Sequence, residues 1–201
     1  MKSTYAIVTQ DPHIAAPYIV QGRVVAFPTG TSYGLAADAL QGHALQRVRN
    51  LKRRPQEKPL SVYMVPRVWD TYLDLTSEER LFLEQHASSA LTLVVKPKEG
   101  LSHLAYEGCI ALRVIDHPLM ERLADIVDVP LTATSANLSE QEPCYTVEDI
   151  QRIFPGREDT TYDLSLACIL DGGALSVRKP STIAKVRNGS IEIIRQGSLT
   201  L

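Results

Sequence analysis

The three cysteines, Cys109, Cys144 and Cys168, are scattered along 201 residues with no CxxC pair. That removes a zinc knuckle, a dithiol redox motif and an even-numbered disulfide framework, and it fits a reducing compartment. No run approaches the ~20 apolar residues that a membrane-spanning helix needs, so a cytoplasmic protein without a membrane partner is expected. None of the five histidines stands in an HExxH arrangement, which leaves no metal site built from protein ligands alone. A GxSxG elbow and a Cys/His pairing are also missing, and acyl-enzyme chemistry loses its support. The single tryptophan, Trp69, and the eight tyrosines show no clustering of the kind that stacks RNA bases on a sheet. Neither sign of charge dominates: 21 Lys and Arg face 23 Asp and Glu, a net charge of -2. Nothing global draws the chain to nucleic acid or an anionic membrane, so any anion site must be local.

What is present is an alternation of strand and helix signals over a length suited to one domain, residues 1–201, with no repeat or linker. Residues 5–8 and 24–27 are β-rich, and between them Asp11-Pro12 supplies an N-cap and a first-turn proline for a helix ending near Gly22. Residues 43–52 read as a helix and 60–64 as a strand. Thr76 to Glu79 spell a capping box for a helix through His86. Strands follow at 91–95 and 110–114, a helix from Asp116-His117-Pro118 to about 126, a strand at 131–134 and a helix at 146–154. After a strand at 167–170, residues 181–186 and 190–194 flank Asn188-Gly189, the strongest hairpin signal in the chain. The pattern predicts an α/β fold: a twisted mixed parallel and antiparallel sheet flanked by helices, with crossovers early and antiparallel strands late.

Polar chemistry concentrates in four segments. Pro28-Thr29-Gly30-Thr31-Ser32-Tyr33-Gly34 follows a strand and offers hydroxyls and glycine N–H groups to a carboxylate or phosphate. It is neither a Walker A loop nor GxGxxG, and a plain strand-to-helix turn is an equal alternative. Leu51 to Leu60 carries Lys52, Arg53, Arg54 and Lys58 between a helix end and a strand, stiffened by Pro55 and Pro59. Such a loop suits polyphosphate, although cations at a helix C-terminus also answer the macrodipole. In Leu131 to Asn137, Ser135 and Asn137 stand two apart and point the same way if the chain is extended. In the tail, Ser181 opens one hairpin strand and Arg195 closes the other, which brings them to the same end.

Taken together and in order, these stretches resemble the YrdC-like family of threonylcarbamoyl-AMP synthases. The matching segments are PTGTSYGL at 28–35, LKRRPQEKPLSV at 51–62, ALRVIDHP at 111–118, PLTATSANLS at 130–139, DGG at 171–173, PSTI at 180–183 and IIRQG at 193–197. The chain resembles the short single-domain form. The resemblance implies a YrdC-like (double-stranded-RNA-binding-like) fold with a concave site. It also implies synthesis of L-threonylcarbamoyladenylate and pyrophosphate from L-threonine, bicarbonate or CO2, and ATP, feeding modification of adenosine 37 of tRNA. By matched position Lys52, Arg54, Lys58, Ser135, Asn137 and Arg195 would hold ATP, with Cys109 and Pro143 as weaker wall positions. Thr31, Tyr63, Arg113, Ala133 and Ser181 would lie around threonine. Lys52 and Arg54 would be the electrostatic catalysts, and Mg2+ would ride on the triphosphate. Partners would be the small-molecule substrates together with tRNA or the threonylcarbamoyl-transfer complex. The chain departs from the family pattern at Gly30, often acidic, at Tyr63, histidine in some members, at Ser88-Ser89-Ala90 and at Lys185. Two rivals are an RNA-binding, ribosome-maturation module of the same fold and a carbamoyl-nucleotide enzyme with another acceptor.

Overall fold

The computed structural model describes residues 6–115, 117–154 and 165–201. In chain order the elements are β1 (Ile7–Thr9), α1 (Pro12–Val20), β2 (Val25–Pro28), β3 (Tyr33–Ala36), α2 (Gly42–Lys52), β4 (Val62–Tyr63), α3 (Trp69–Tyr72), α4 (Ser77–Gln85), β5 (Leu91–Val95), β6 (Ile110–Arg113), α5 (Pro118–Val127), β7 (Leu131–Thr132), β8 (Thr134–Ser135), α6 (Val147–Ile153), β9 (Cys168–Leu170), β10 (Thr182–Arg187) and β11 (Ser190–Arg195). Local chemistry sets several of these boundaries. The Asp11 carboxylate accepts from the N–H of His13 at 2.9 Å, and Pro12 fills the first turn of α1, which ends before Gly22 at φ 69°. Thr76 and Glu79 close the full capping box of α4. Asn188 and Gly189 both take positive φ, 50° and 74°, as a tight hairpin turn between right-twisted strands requires. His117 caps α5 through Nδ1, while Asp116 and the first residue of the 5–8 strand lie outside the described residues.

The α/β class is as expected, but the strands form two mixed sheets. One has the order β1-β9-β2-β3-β8 and the other β11-β10-β5-β6-β4-β7. Antiparallel pairing is not confined to the end of the chain: β2 and β3 already form an antiparallel hairpin. Residues 29–32 are therefore a hairpin loop, and Gly34 sits inside β3 opposite Phe27 and Ser135. The strand expected at 131–134 also divides. β7 pairs with β4 in one sheet and β8 with β3 in the other, so this short stretch stitches the two sheets together through Ala133, whose N–H donates to Ser61 O at 2.8 Å.

Two apolar cores fill the spaces beside the sheets. Ala15, Ala16 and Ile19 of α1 pack with Met120, Leu123 and Ala124 of α5 against Val25, Phe27 and Leu170. A larger core joins α2, α4 and α6 through Val48, Leu51, Leu83 and Ile150 to Leu35, Leu91, Leu93 and Leu112. Residues spaced three or four apart on each helix supply these faces, as an amphipathic helix on a sheet demands.

Candidate functional site

The face of the six-stranded sheet turned away from the larger core carries a largely polar cross-strand row. Arg113 of β6 is the Cα partner of Thr92 of β5, Thr92 of Ile183 of β10, and Ile183 of Arg195 of β11. Direct partners in neighbouring strands present side chains on the same face, and all four line one cleft of about 820 Å³. Three strand spacings separate the two arginines, roughly 14 Å of backbone. A register shift next to Ile183 makes this possible. Ile183 faces Arg195 but Ala184 faces Ile193, so Ile194 is an extra residue in β11. Side chains alternate along a strand, and without that bulge Arg195 would point to the opposite face.

The row is fixed by neighbours. Arg195 Nη2 donates to Ser181 O at 2.7 Å, and Ser181 Oγ lies 2.8 Å from Thr92 Oγ1. Gly197 makes this crossing possible: a Cβ there would lie 2.1 Å from Pro180 O and 2.5 Å from the carbonyl carbon of Ser181. At the other end, Arg113 Nη2 donates to Thr31 Oγ1 at 2.5 Å and to Thr29 Oγ1 at 3.2 Å. Thr29 Oγ1 also accepts from the N–H groups of Thr31 and Ser32, so the hairpin loop spends those donors on itself rather than offering them to an anion.

The basic segment separates into three environments. Lys52, the last residue of α2, is 1% exposed. Its Nζ donates to Ser135 O, to Asn137 O at 3.0 Å and to Asn137 Oδ1 at 2.8 Å. Burial pushes its pKa down to about 7, with nearby Arg54 adding to the shift. The three oxygen acceptors pull the other way, because they match the three donors of the ammonium. Arg53 turns the chain at φ 51°, and Arg54 then lines the cleft. Arg54 donates from Nη2 to Pro59 O at 2.8 Å, and burial lowers its pKa. Lys58 faces outward to Glu140 at 2.7 Å, an exposed pair that contributes little.

The residues proposed from sequence sort accordingly. Arg54, Ser135, Pro143 and Arg195 line the cleft, as do Thr31, Arg113, Ala133 and Ser181. Lys52 and Asn137 lie beneath it. Cys109 is half-buried beside Lys185, whose Nζ is 3.6 Å from Sγ, and does not line the cleft. Tyr63 lines a separate recess of about 380 Å³ with Trp69, Leu83 and Glu121, and Arg113 is the side chain common to both cavities. Burial, reinforced by Glu121 and Asp125, pushes the Tyr63 phenol far up. Sequence reasoning missed Arg178, Lys179 and Tyr145 on the cleft wall. The pair Arg178-Lys179 directly before the PSTI stretch was the available signal. With Arg54, Arg113 and Arg195 they set five cations against one lining carboxylate, Glu142. Among the described residues no group of three His, Cys, Asp or Glu side chains is placed to hold a metal.

Fold and cleft together define an α/β domain with a basic cleft whose arginines can receive polyphosphate or carboxylate oxygens. The chain belongs to the Sua5/YciO/YrdC family, described as "Telomere recombination", which matches residues 17–197. It is 35% identical over 199 residues to a Mus musculus protein named threonylcarbamoyl-AMP synthase, covering 94% of this chain and 68% of that one. It is 33% identical over 184 residues to the protein of the same name from Vibrio campbellii, covering 88% and 93%. Among solved structures, Sua5 of Pyrococcus abyssi complexed with L-threonine superposes with a TM-score of 0.80 at 26% identity, over 96% of this chain and 57% of that chain. YciO of E. coli shares the fold at a TM-score of 0.78 and 19% identity, over 98% and 96%.

Proposed function

We propose that this chain is a nucleotidyltransferase that condenses L-threonine, bicarbonate or CO2, and ATP into L-threonylcarbamoyladenylate with release of pyrophosphate. The observation that carries the reading is the cross-strand row on β6, β5, β10 and β11, which holds Arg113 and Arg195 in one cleft with Arg54 on its wall. Arg113 is oriented by Thr31 and suits the amino-acid carboxylate in a forked contact. Arg54 and Arg195 suit the triphosphate, and Ser135, Ala133 and Pro143 also line the cleft. The amine captures CO2, and the carbamate oxygen attacks the α-phosphate as pyrophosphate leaves. The chain's part is to hold the two reactants together and to neutralise charge that builds on the phosphates.

Mg2+ fits as a passenger of ATP, since the cleft supplies hydroxyls and one carboxylate rather than a cage, and phosphate oxygens are its usual ligands. The product would pass in the cytoplasm to the step that modifies adenosine 37 of tRNA. Pyrophosphate release measured with each substrate omitted in turn tests the proposal. Release is expected only when ATP, threonine and bicarbonate are all present. Release indifferent to threonine would indicate another acceptor, and failure to bind ATP at all would favour the RNA-binding alternative.

A further inference from the structure

Within the basic segment, Lys52 is buried in a geometry that conflicts with a role in touching nucleotide. The side chain runs inward from the end of α2 and its ammonium is spent on Ser135 O, Asn137 O and Asn137 Oδ1. The same residue holds the segment a second time, since Lys52 O accepts from Ser139 N at 2.8 Å. Asn137 completes the clamp by accepting from Ser135 Oγ at 2.7 Å and donating from Nδ2 to Gln141 O at 2.5 Å. Ser135 lines the cleft; Lys52 and Asn137 do not.

A buried ammonium is costly, and among the described residues no carboxylate acts on this one. The charged and titratable groups acting on it are Arg54, which repels it, and the Cys144 thiol, itself pushed up to about 12 by burial. An apolar side chain would fill the same space without the desolvation cost. What only a three-donor cation supplies is simultaneous attachment of two carbonyls and one amide oxygen from a single tight turn. On the reading that the cleft binds ATP, we infer that Lys52 is a positioning residue: it presents Ser135 to the nucleotide by clamping residues 135–139 from below, and makes no contact with the nucleotide itself.

Two measurements test this. The first maps acetylation of lysines by a succinimidyl ester, with and without Mg-ATP, in the wild-type protein. Lys58 and Lys179 should label, and Lys52 should stay unlabelled in both conditions. Labelling of Lys52 in the free protein with protection by ATP would overturn the inference, and this arm needs no variant to fold. The second is a double-mutant cycle on ATP affinity with Lys52→Met, Ser135→Ala and the pair. Residues that act through one another are non-additive. Each single change should weaken binding about tenfold, and the pair little more than the weaker single variant. Losses that multiply would mean that Lys52 reaches ATP independently. Wild-type protein that binds no ATP would count against the proposed function, whereas labelled Lys52 in nucleotide-free protein would count against the clamp alone.

Discussion

Arg113 stands between two cavities that differ in kind. On one side the cleft gathers Arg54, Arg195, Arg178 and Lys179 with hydroxyls; on the other the smaller recess is walled by Tyr63, Met64, Trp69, Leu83 and Leu112, with Glu121 and Asp125 among its polar lining. Both borrow β6, yet one is equipped to bind an anion and the other continues the packing of the core. A residue's place on a matching motif does not say which side of a sheet its side chain serves. Tyr63 was expected beside threonine from its position, and its side chain lines the recess.

The contrast predicts separable losses. Arg54→Ala should weaken ATP binding by about 100-fold, the scale of a lost charge-assisted contact, while leaving thermal unfolding unchanged. Calorimetric titration reads it, and wild-type affinity would reduce the basic segment to an ordinary helix end. Arg113→Ala should raise the KM for threonine by roughly 10- to 100-fold and alter ATP affinity far less. Equal losses for both substrates would merge the two ends of the cleft into one site.

In the recess, Leu83 is fully buried, and Leu83→Ala should cost about 2–5 kcal/mol of stability in denaturant unfolding with ATP affinity retained. A parallel fall in affinity would join the recess to the cleft. The smallest effect concerns the thiols. Burial pushes Cys144 to about 12 and Cys168 to about 11, so neither forms appreciable thiolate at pH 8, whereas Cys109 is half-buried. A disulfide reagent should titrate one thiol per native chain, and none after Cys109→Ser. Three fast thiols would show that the cores open readily.

Much of this was legible in one dimension. Asp11-Pro12, the Thr76–Glu79 box and Asn188-Gly189 act through bonds closed within a few residues, so sequence alone placed their caps and turn. β3 escaped notice because PTGTSYG carries turn residues, and its strand exists only through pairing with β2 and β8. The division of 131–135 between two sheets was invisible for the same reason.

By itself, then, the sequence determined the α/β alternation, the family and the set of polar residues from which a site could be drawn, because periodicity, capping and motif spacing are local quantities. Tertiary structure decided which of those residues share a surface. Four neighbouring cations, Lys52, Arg53, Arg54 and Lys58, meet different fates because one helix end turns over a buried loop, a left-handed residue and a proline-bounded return. Arg195 reaches the cleft only because Ile194 is an extra residue in its strand. Such outcomes depend on pairing register across the chain, which no segment of sequence contains.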